Sequence, residues 1–249
     1  MDMPMQLHLA AQYLATTGIS FLEKKEDDSH TNLEFSTTEK RLATWPLDEN
    51  GTQLGLHYPT FSLQWISTEV QSLPLDGKSH NEVVMWLKEA SASLSPSKNY
   101  EYNLHYELPY VMKPDESFQL TDSEKIEKLI QLRTMANVVL AQVLADNDLS
   151  SDIRIWPHHF DTGAFSELSS NTKTAVGLGL SIPDSLVEDY YFYISGYHGH
   201  TALDTSSFSK LNHGTWLNDG FKGAVLPASS SNAQQAISFF NEAIQAYIS

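Results

Sequence analysis

The chain has 249 residues, 41% of them apolar and 11% aromatic, which fits a globular protein with a substantial core and excludes a disordered chain. Fifteen basic residues against thirty-one acidic ones give a net charge of −16. A field of that sign repels phosphate backbones and anionic membrane surfaces, so neither nucleic acid nor membrane is an expected partner. The absence of cysteine excludes disulfides, thiolate zinc sites and a cysteine nucleophile.

The first residues, Met1-Asp2-Met3-Pro4-Met5-Gln6, lack the basic start and unbroken apolar core of a signal peptide, and no segment reaches the roughly eighteen apolar residues of a membrane span. A soluble cytoplasmic protein is the expectation. Residues 4–16 read as a short helix, with Pro4 in its first turn, Leu7, Ala10, Ala11 and Leu14 at helical spacing, and Gly18 placed to end it. His8 on this helix reads as solvated or capping. From Ile19 to about Thr68 the pattern is one of strands and turns. Ile19–Glu23 and Leu33–Phe35 flank a polar turn at Glu26–His30, and Asp48-Glu49-Asn50-Gly51 is a second turn signal. Leu54, Leu56 and Tyr58 alternate before Pro59, and Phe61, Leu63 and Trp65 alternate after it, as in half-buried antiparallel strands. Trp45 and Trp65 read as core.

Ser79 and Glu82 form a capping box for a helix to about Leu94, stopped by Ser95-Pro96-Ser97. Asn103–Leu108 reads as a strand, and Pro109–Leu120 as a linker between halves. Thr121 and Glu124 form a second capping box, for a helix to about Ala145 whose broad apolar stripe marks it as the central buried helix. Its Arg133 reads as a partner in a surface ion pair. Strands are expected near 152–157, 159–167, 172–181 and 189–196, with another between 215 and 226. A last helix, capped at Ser231, runs to Tyr247. Consecutive strands without intervening helices predict an α+β protein with mainly antiparallel sheets and about four helices. The order helix, strands, helix occurs twice, suggesting two similar α+β halves at 1–115 and 116–249.

The chemistry-bearing residues concentrate after position 153. In an extended segment His159 and Asp161 share one face while His158 and Phe160 take the other, which sets an imidazole beside a carboxylate as a catalytic pair or a metal site. With His198, His200 and His213 they could hold a divalent metal ion, and a metal-dependent hydrolase or oxygenase is one reading. Gly-x-Ser-x-Gly is absent, and Gly177-x-Gly179 lies within a strand rather than in a phosphate loop. Glu167, Asp184, Glu188 and Asp189 are the available paired carboxylates. The main expectation is a small-molecule pocket lined by Trp156, His159, Asp161, Tyr191, Tyr193 and Trp216. A third reading is a non-catalytic structural or interaction module in which Asp161 caps backbone amides and Trp156 fills the core.

Trp156-Pro157-His158-His159-Phe160-Asp161, with Gly177-x-Gly179, Ile182-Pro183-Asp184, Tyr191-Phe192-Tyr193 and Trp216 to Pro227, resembles a group of bacterial proteins of unknown function. That group is marked by Trp-Pro-(Glu or His)-His-Phe-Asp, a small-residue strand ending near an aspartate, and a Tyr-x-Tyr strand. The layout more distantly resembles a larger bacterial domain family with Trp-Gly-Ser-Phe-Asp at the equivalent place. The resemblance covers mainly 150–245 and implies a shared fold and a pocket around Phe160-Asp161, with no activity attached. The group accepts Glu at position 158 and lacks the Tyr197-His198-Gly199-His200 element, which leaves His159 and Asp161 as the better candidates.

Overall fold

Asp2 caps the first helix through its carboxylate to Met5 N (3.1 Å), and Pro4 sits in the first turn, where its missing N–H costs nothing. The helix, α1 (Met3–Phe21), does not stop at Gly18. It continues because Ile19 and Phe21 extend its contacts, and Gly18 serves instead as a point of close approach: a Cβ there would lie 2.7 Å from the His30 carbonyl oxygen. Ile19–Phe21 of the strand expected at Ile19–Glu23 is therefore helix, while Leu22 and Glu23 follow it outside any strand; tertiary contact overrides the β preference of those side chains. Fifteen of the nineteen residues are buried, polar ones included, so α1 is the helix enclosed on every side.

The computed structural model describes residues 1–94, 98–113, 116–169 and 174–248. The Ser95-Pro96-Ser97 stop, the Pro114-Asp115 part of the expected linker and the start of the strand expected at 172–181 lie outside the described residues. Within them the chain is α+β, as expected, with four α-helices and two antiparallel sheets. It forms two compact units. The first is Met1–Gln131 with Ile155–Phe160, and the second is Leu132–Arg154 with Asp161–Ser249.

The first unit pairs α1 with a five-stranded meander, β1 (Glu34–Ser36), β2 (Arg41–Ala43), β3 (Gln53–His57), β4 (Ser62–Ile66) and β5 (Val70–Pro74), in sequential order. The alternation of Leu54 and Leu56 with Leu63 and Trp65 is the β3–β4 pairing, Leu56 opposite Leu63 and Leu54 opposite Trp65. Ser79 and Glu82 cap α2 (His80–Ser91) reciprocally, as the capping box predicts. Residues 98–113 form no strand; the expected strand at 103–108 is irregular chain, and tyrosines rather than a ladder fix it in place.

The helix α3 (Ser123–Asp146) is capped by Asp122, whose carboxylate accepts from Glu124 N and Lys125 N, one residue later than the expected Thr121. It is exposed along one side, with Val138 60% accessible, so the central buried helix is α1 instead. The next strand, β6 (Arg154–Trp156), falls in the first unit except for Arg154; the second unit's strands are β7 (Asp161–Ser169), β8 (Thr174–Ser181), β9 (Tyr191–His198), β10 (Thr201–Ala202), β11 (Thr215–Leu217) and β12 (Gly223–Pro227). The sheet order is β11-β12-β9-β8-β7-β6, with β10 paired to β9. The last helix, α4 (Ala233–Ile248), starts with a reciprocal Asn232–Gln235 cap and packs on β9 and β12. Phe192 meets Phe240, and Tyr247 lies where a side chain on Gly196 would be. Among the described residues no helix is long and apolar enough to cross a membrane.

Candidate functional site

The Trp-Pro-His-His-Phe-Asp stretch is not extended. Phe160 N and His159 N both donate to the Trp156 carbonyl (2.7 and 3.2 Å), closing a tight turn between β6 and β7, and Phe160 takes a left-handed backbone (φ 58°). Strand alternation therefore does not set the direction of the His159 side chain, contrary to what an extended segment would give. Residues 155–160 belong to the first unit and Asp161 to the second.

In the first unit α1 holds the turn. The Pro157 carbonyl accepts from Gln12 Nε2 (2.9 Å) and bonds the Nε2 nitrogen of His8 (2.7 Å). The His8 ring also stacks on Phe160, with centroids 5.0 Å apart and planes within 7°. His8 is 2% exposed, so it is a buried anchor rather than the solvated residue expected. One turn along the helix, Leu9 and Tyr13 face a different space (i, i+4 neighbours share a face). They form part of a cavity of about 560 Å³ whose other aromatic walls are His80, Tyr102, Tyr106 and Tyr110. Leu104, Leu108 and Met112 supply aliphatic surface, and Glu107 is the charged group among the lining side chains.

The tyrosine hydroxyls here are mostly committed to protein. Tyr106 donates to Gln12 Oε1 (2.7 Å), Tyr110 bonds His8 Nδ1, and Tyr13 bonds His80 Nδ1 (3.0 Å). The His80 ring also meets the Tyr102 ring edge-to-face at 4.6 Å. Burial lowers the His80 pKa, which keeps the imidazole neutral at pH 7, and burial raises Tyr102 to about 12. With Nδ1 accepting the Tyr13 proton, Nε2 carries the ring hydrogen, a tautomer assigned from the bonding pattern.

A smaller cleft of about 250 Å³ adjoins through Tyr106, with Asp28, His105, Trp156 and His158 on its walls. His105 Nε2 pairs with Asp28 Oδ2 at 3.3 Å. The His158 pKa falls to about 4, first from desolvation of the ring and then from repulsion by His159 and His105, although more than a third of the residue remains accessible. His159 is exposed on the turn, its ring 4.1 Å from that of His158.

In the second unit Asp161 is 4% exposed and accepts a short hydrogen bond from the Tyr193 hydroxyl. The geometry depends on glycine. Gly163, Gly179 and Tyr193 lie side by side on β7, β8 and β9, and the Tyr193 ring crosses both glycines to reach Asp161. A Cβ on Gly179 would collide with the Thr162 carbonyl and come within 3.1 Å of the Tyr193 ring. Burial and then the Asp161 charge push the Tyr193 pKa well up. Tyr191 donates to Asp184 Oδ2 (2.7 Å), whose other oxygen accepts from Leu186 N and Val187 N; Asp184 is a loop clasp rather than a catalytic acid. On the opposite face of this sheet Arg133 is 1% exposed and donates to Thr162 Oγ1 at 2.7 Å, so it belongs to the interior rather than to a surface ion pair.

The expected pocket residues therefore fall into three places. Trp156 and His159 are in the first unit, while Asp161, Tyr191 and Tyr193 share one sheet face of the second. Trp216 sits on the helix-covered face with Phe208 and Tyr247, its Nε1 donating to Ser209 O (3.0 Å). His198 and His200 are exposed at the β9–β10 turn, and His213 precedes β11. Among the described residues no group of three or more His, Asp or Glu side chains could hold a metal ion. The wall that sequence reading missed is Tyr13, His80, Tyr102, Tyr106 and Tyr110; the tyrosine spacing of four from 102 to 110 was its signal. No protein-family model, curated protein or solved structure matches this chain.

Proposed function

We propose that the first unit binds a small, largely apolar organic molecule in the tyrosine-lined cavity beside the Trp156–His158 cleft. The observation that carries this reading is the cavity itself: about 560 Å³ within one unit, walled by aromatic rings with few polar groups, is the size and character of small-molecule sites. On this reading the Trp-Pro-His-His-Phe segment is an anchor. Through Pro157 O and Phe160 it fixes His8 and Gln12, and these in turn fix Tyr110 and Tyr106 in the cavity wall. No catalytic step is assigned, because the cavity offers a neutral imidazole without a nucleophile beside it.

The test is thermal unfolding against a panel of small aromatic and apolar compounds. A ligand at about 100 times its Kd stabilises by about 2.7 kcal/mol, which for a chain of this size raises Tm by roughly 5–10 °C. Leu104→Trp, which fills the cavity, is expected to abolish the shift. An unchanged shift in that variant, or no stabilising compound in the panel, overturns the proposal.

A further inference from the structure

Four tyrosines and a neutral histidine around one cavity raise the question of which face of those rings a ligand meets. The hydroxyls of Tyr13, Tyr106 and Tyr110 are committed to His80, Gln12 and His8. What these side chains leave for an occupant is ring surface, the electron-rich face of the aromatic quadrupole. Neither lysine nor arginine is among the lining residues, whereas Glu107 is, and Asp2 lies close enough to Tyr110 to raise its pKa after burial does. The chain as a whole carries −16, which favours approach of a cation.

From the tyrosines with committed hydroxyls and the single acidic side chain on the wall, we infer that the cavity takes an organic cation, a quaternary or tertiary ammonium held against the faces of Tyr102, Tyr106 and Tyr110 with Glu107 at the mouth. The inference rests on the small-molecule reading above and narrows it to a charge class. A buried ammonium loses its water, and aromatic faces replace that hydration without demanding directed hydrogen bonds. An anion would meet ring faces and a carboxylate with neither lysine nor arginine on the wall to compensate its charge, so it is disfavoured. A neutral molecule of the same shape gains the apolar contact alone.

The experiment compares matched pairs by calorimetric titration of the whole chain. Choline is set against 3,3-dimethylbutan-1-ol, in which carbon replaces the ammonium nitrogen, and benzyltrimethylammonium against benzyl alcohol and benzenesulfonate. Each cation is expected to bind about tenfold tighter than its neutral partner, with benzenesulfonate silent. Tyr102→Leu, which keeps bulk and removes the ring, is expected to cost the cation about tenfold and the neutral compound little, while Tyr102→Phe retains cation binding. Glu107→Gln, at an exposed position, is expected to weaken the cation about threefold without affecting the neutral compound. Neutral compounds that bind as tightly as their cations overturn the charge assignment and leave the cavity reading standing. Binding of neither class, with Leu104→Trp indistinguishable from the parent chain, removes both.

Discussion

The two units solve the same packing problem with different residues. The first holds seven of the chain's ten histidines, at positions 8, 30, 57, 80, 105, 158 and 159, and the chain between 98 and 113 has no regular structure. The second holds eight of the twelve glycines, and aromatic rings of β9 and α4 lie over five of them, Gly163, Gly177, Gly179, Gly196 and Gly214. Side chains hold irregular backbone in one; in the other, missing side chains let regular backbone accept large rings. The first arrangement leaves space between the rings that wall the tyrosine-lined cavity.

The glycines break the comparison most sharply. Gly179→Ala drives a Cβ into the Thr162 backbone and is expected to cost about 2–3 kcal/mol in urea unfolding. Gly77→Ala in the first unit meets open space and has only its positive φ (78°) to strain, so about 1 kcal/mol is expected. Equal costs would show that the glycine bed is not what fits Tyr193 to its sheet. A smaller contrast comes from the hydroxyls. Tyr193→Phe takes a donor from a buried carboxylate and is expected to cost about 2 kcal/mol, against about 1 kcal/mol for Tyr106→Phe, whose partner is the neutral Gln12. Reversal of that order would place the Asp161 pair outside the unit's stability.

Acid supplies the mildest test. His30, His57, His80 and His158 all belong to the first unit and all have lowered pKa values, chiefly from burial. Their unfolded forms take up protons first, so the stability they contribute is complete above the ordinary histidine value near 6.5 and declines as pH falls from there toward about 4, where His158 itself titrates in the folded chain. Amide exchange followed from pH 7 to pH 4.5 is expected to show α1 losing protection before β8 and β9 do. Earlier loss in β8 and β9 would contradict it.

Much of the regular structure was legible because period and local chemistry agreed. The β3–β4 hairpin, β8, α4 and the Ser79–Glu82 cap are each visible in alternation or in a capping signature. What escaped depends on residues far apart in sequence. Ile19 and Phe21 favour strands locally, yet burial keeps them in α1. Asn103–Leu108 alternates like a strand but has no neighbour to pair with among the described residues, and Tyr102 and Tyr106 turn inward to α1 and α2 instead. At the opening of β7, Asp161 and Tyr193 were both recognisable candidates, whereas the Gly163–Gly179 register that joins them appears only when strands are paired. Nothing about a phenylalanine announces a left-handed backbone, so the turn at Phe160 was read as strand.

The bonds from His8 and Gln12 to the Pro157 carbonyl also bear on how the chain is made. They join residues 149 and 145 positions apart, so α1 is synthesised well before the segment that completes its contacts. Until residue 160 emerges, His8 and Gln12 lack the Pro157 carbonyl they share, and the stacking surface for His8 does not exist. A nascent chain halted at residue 150 is therefore an incomplete first unit, with its tyrosine wall unanchored. The six-residue segment 155–160 is a late-arriving clasp that completes the first unit.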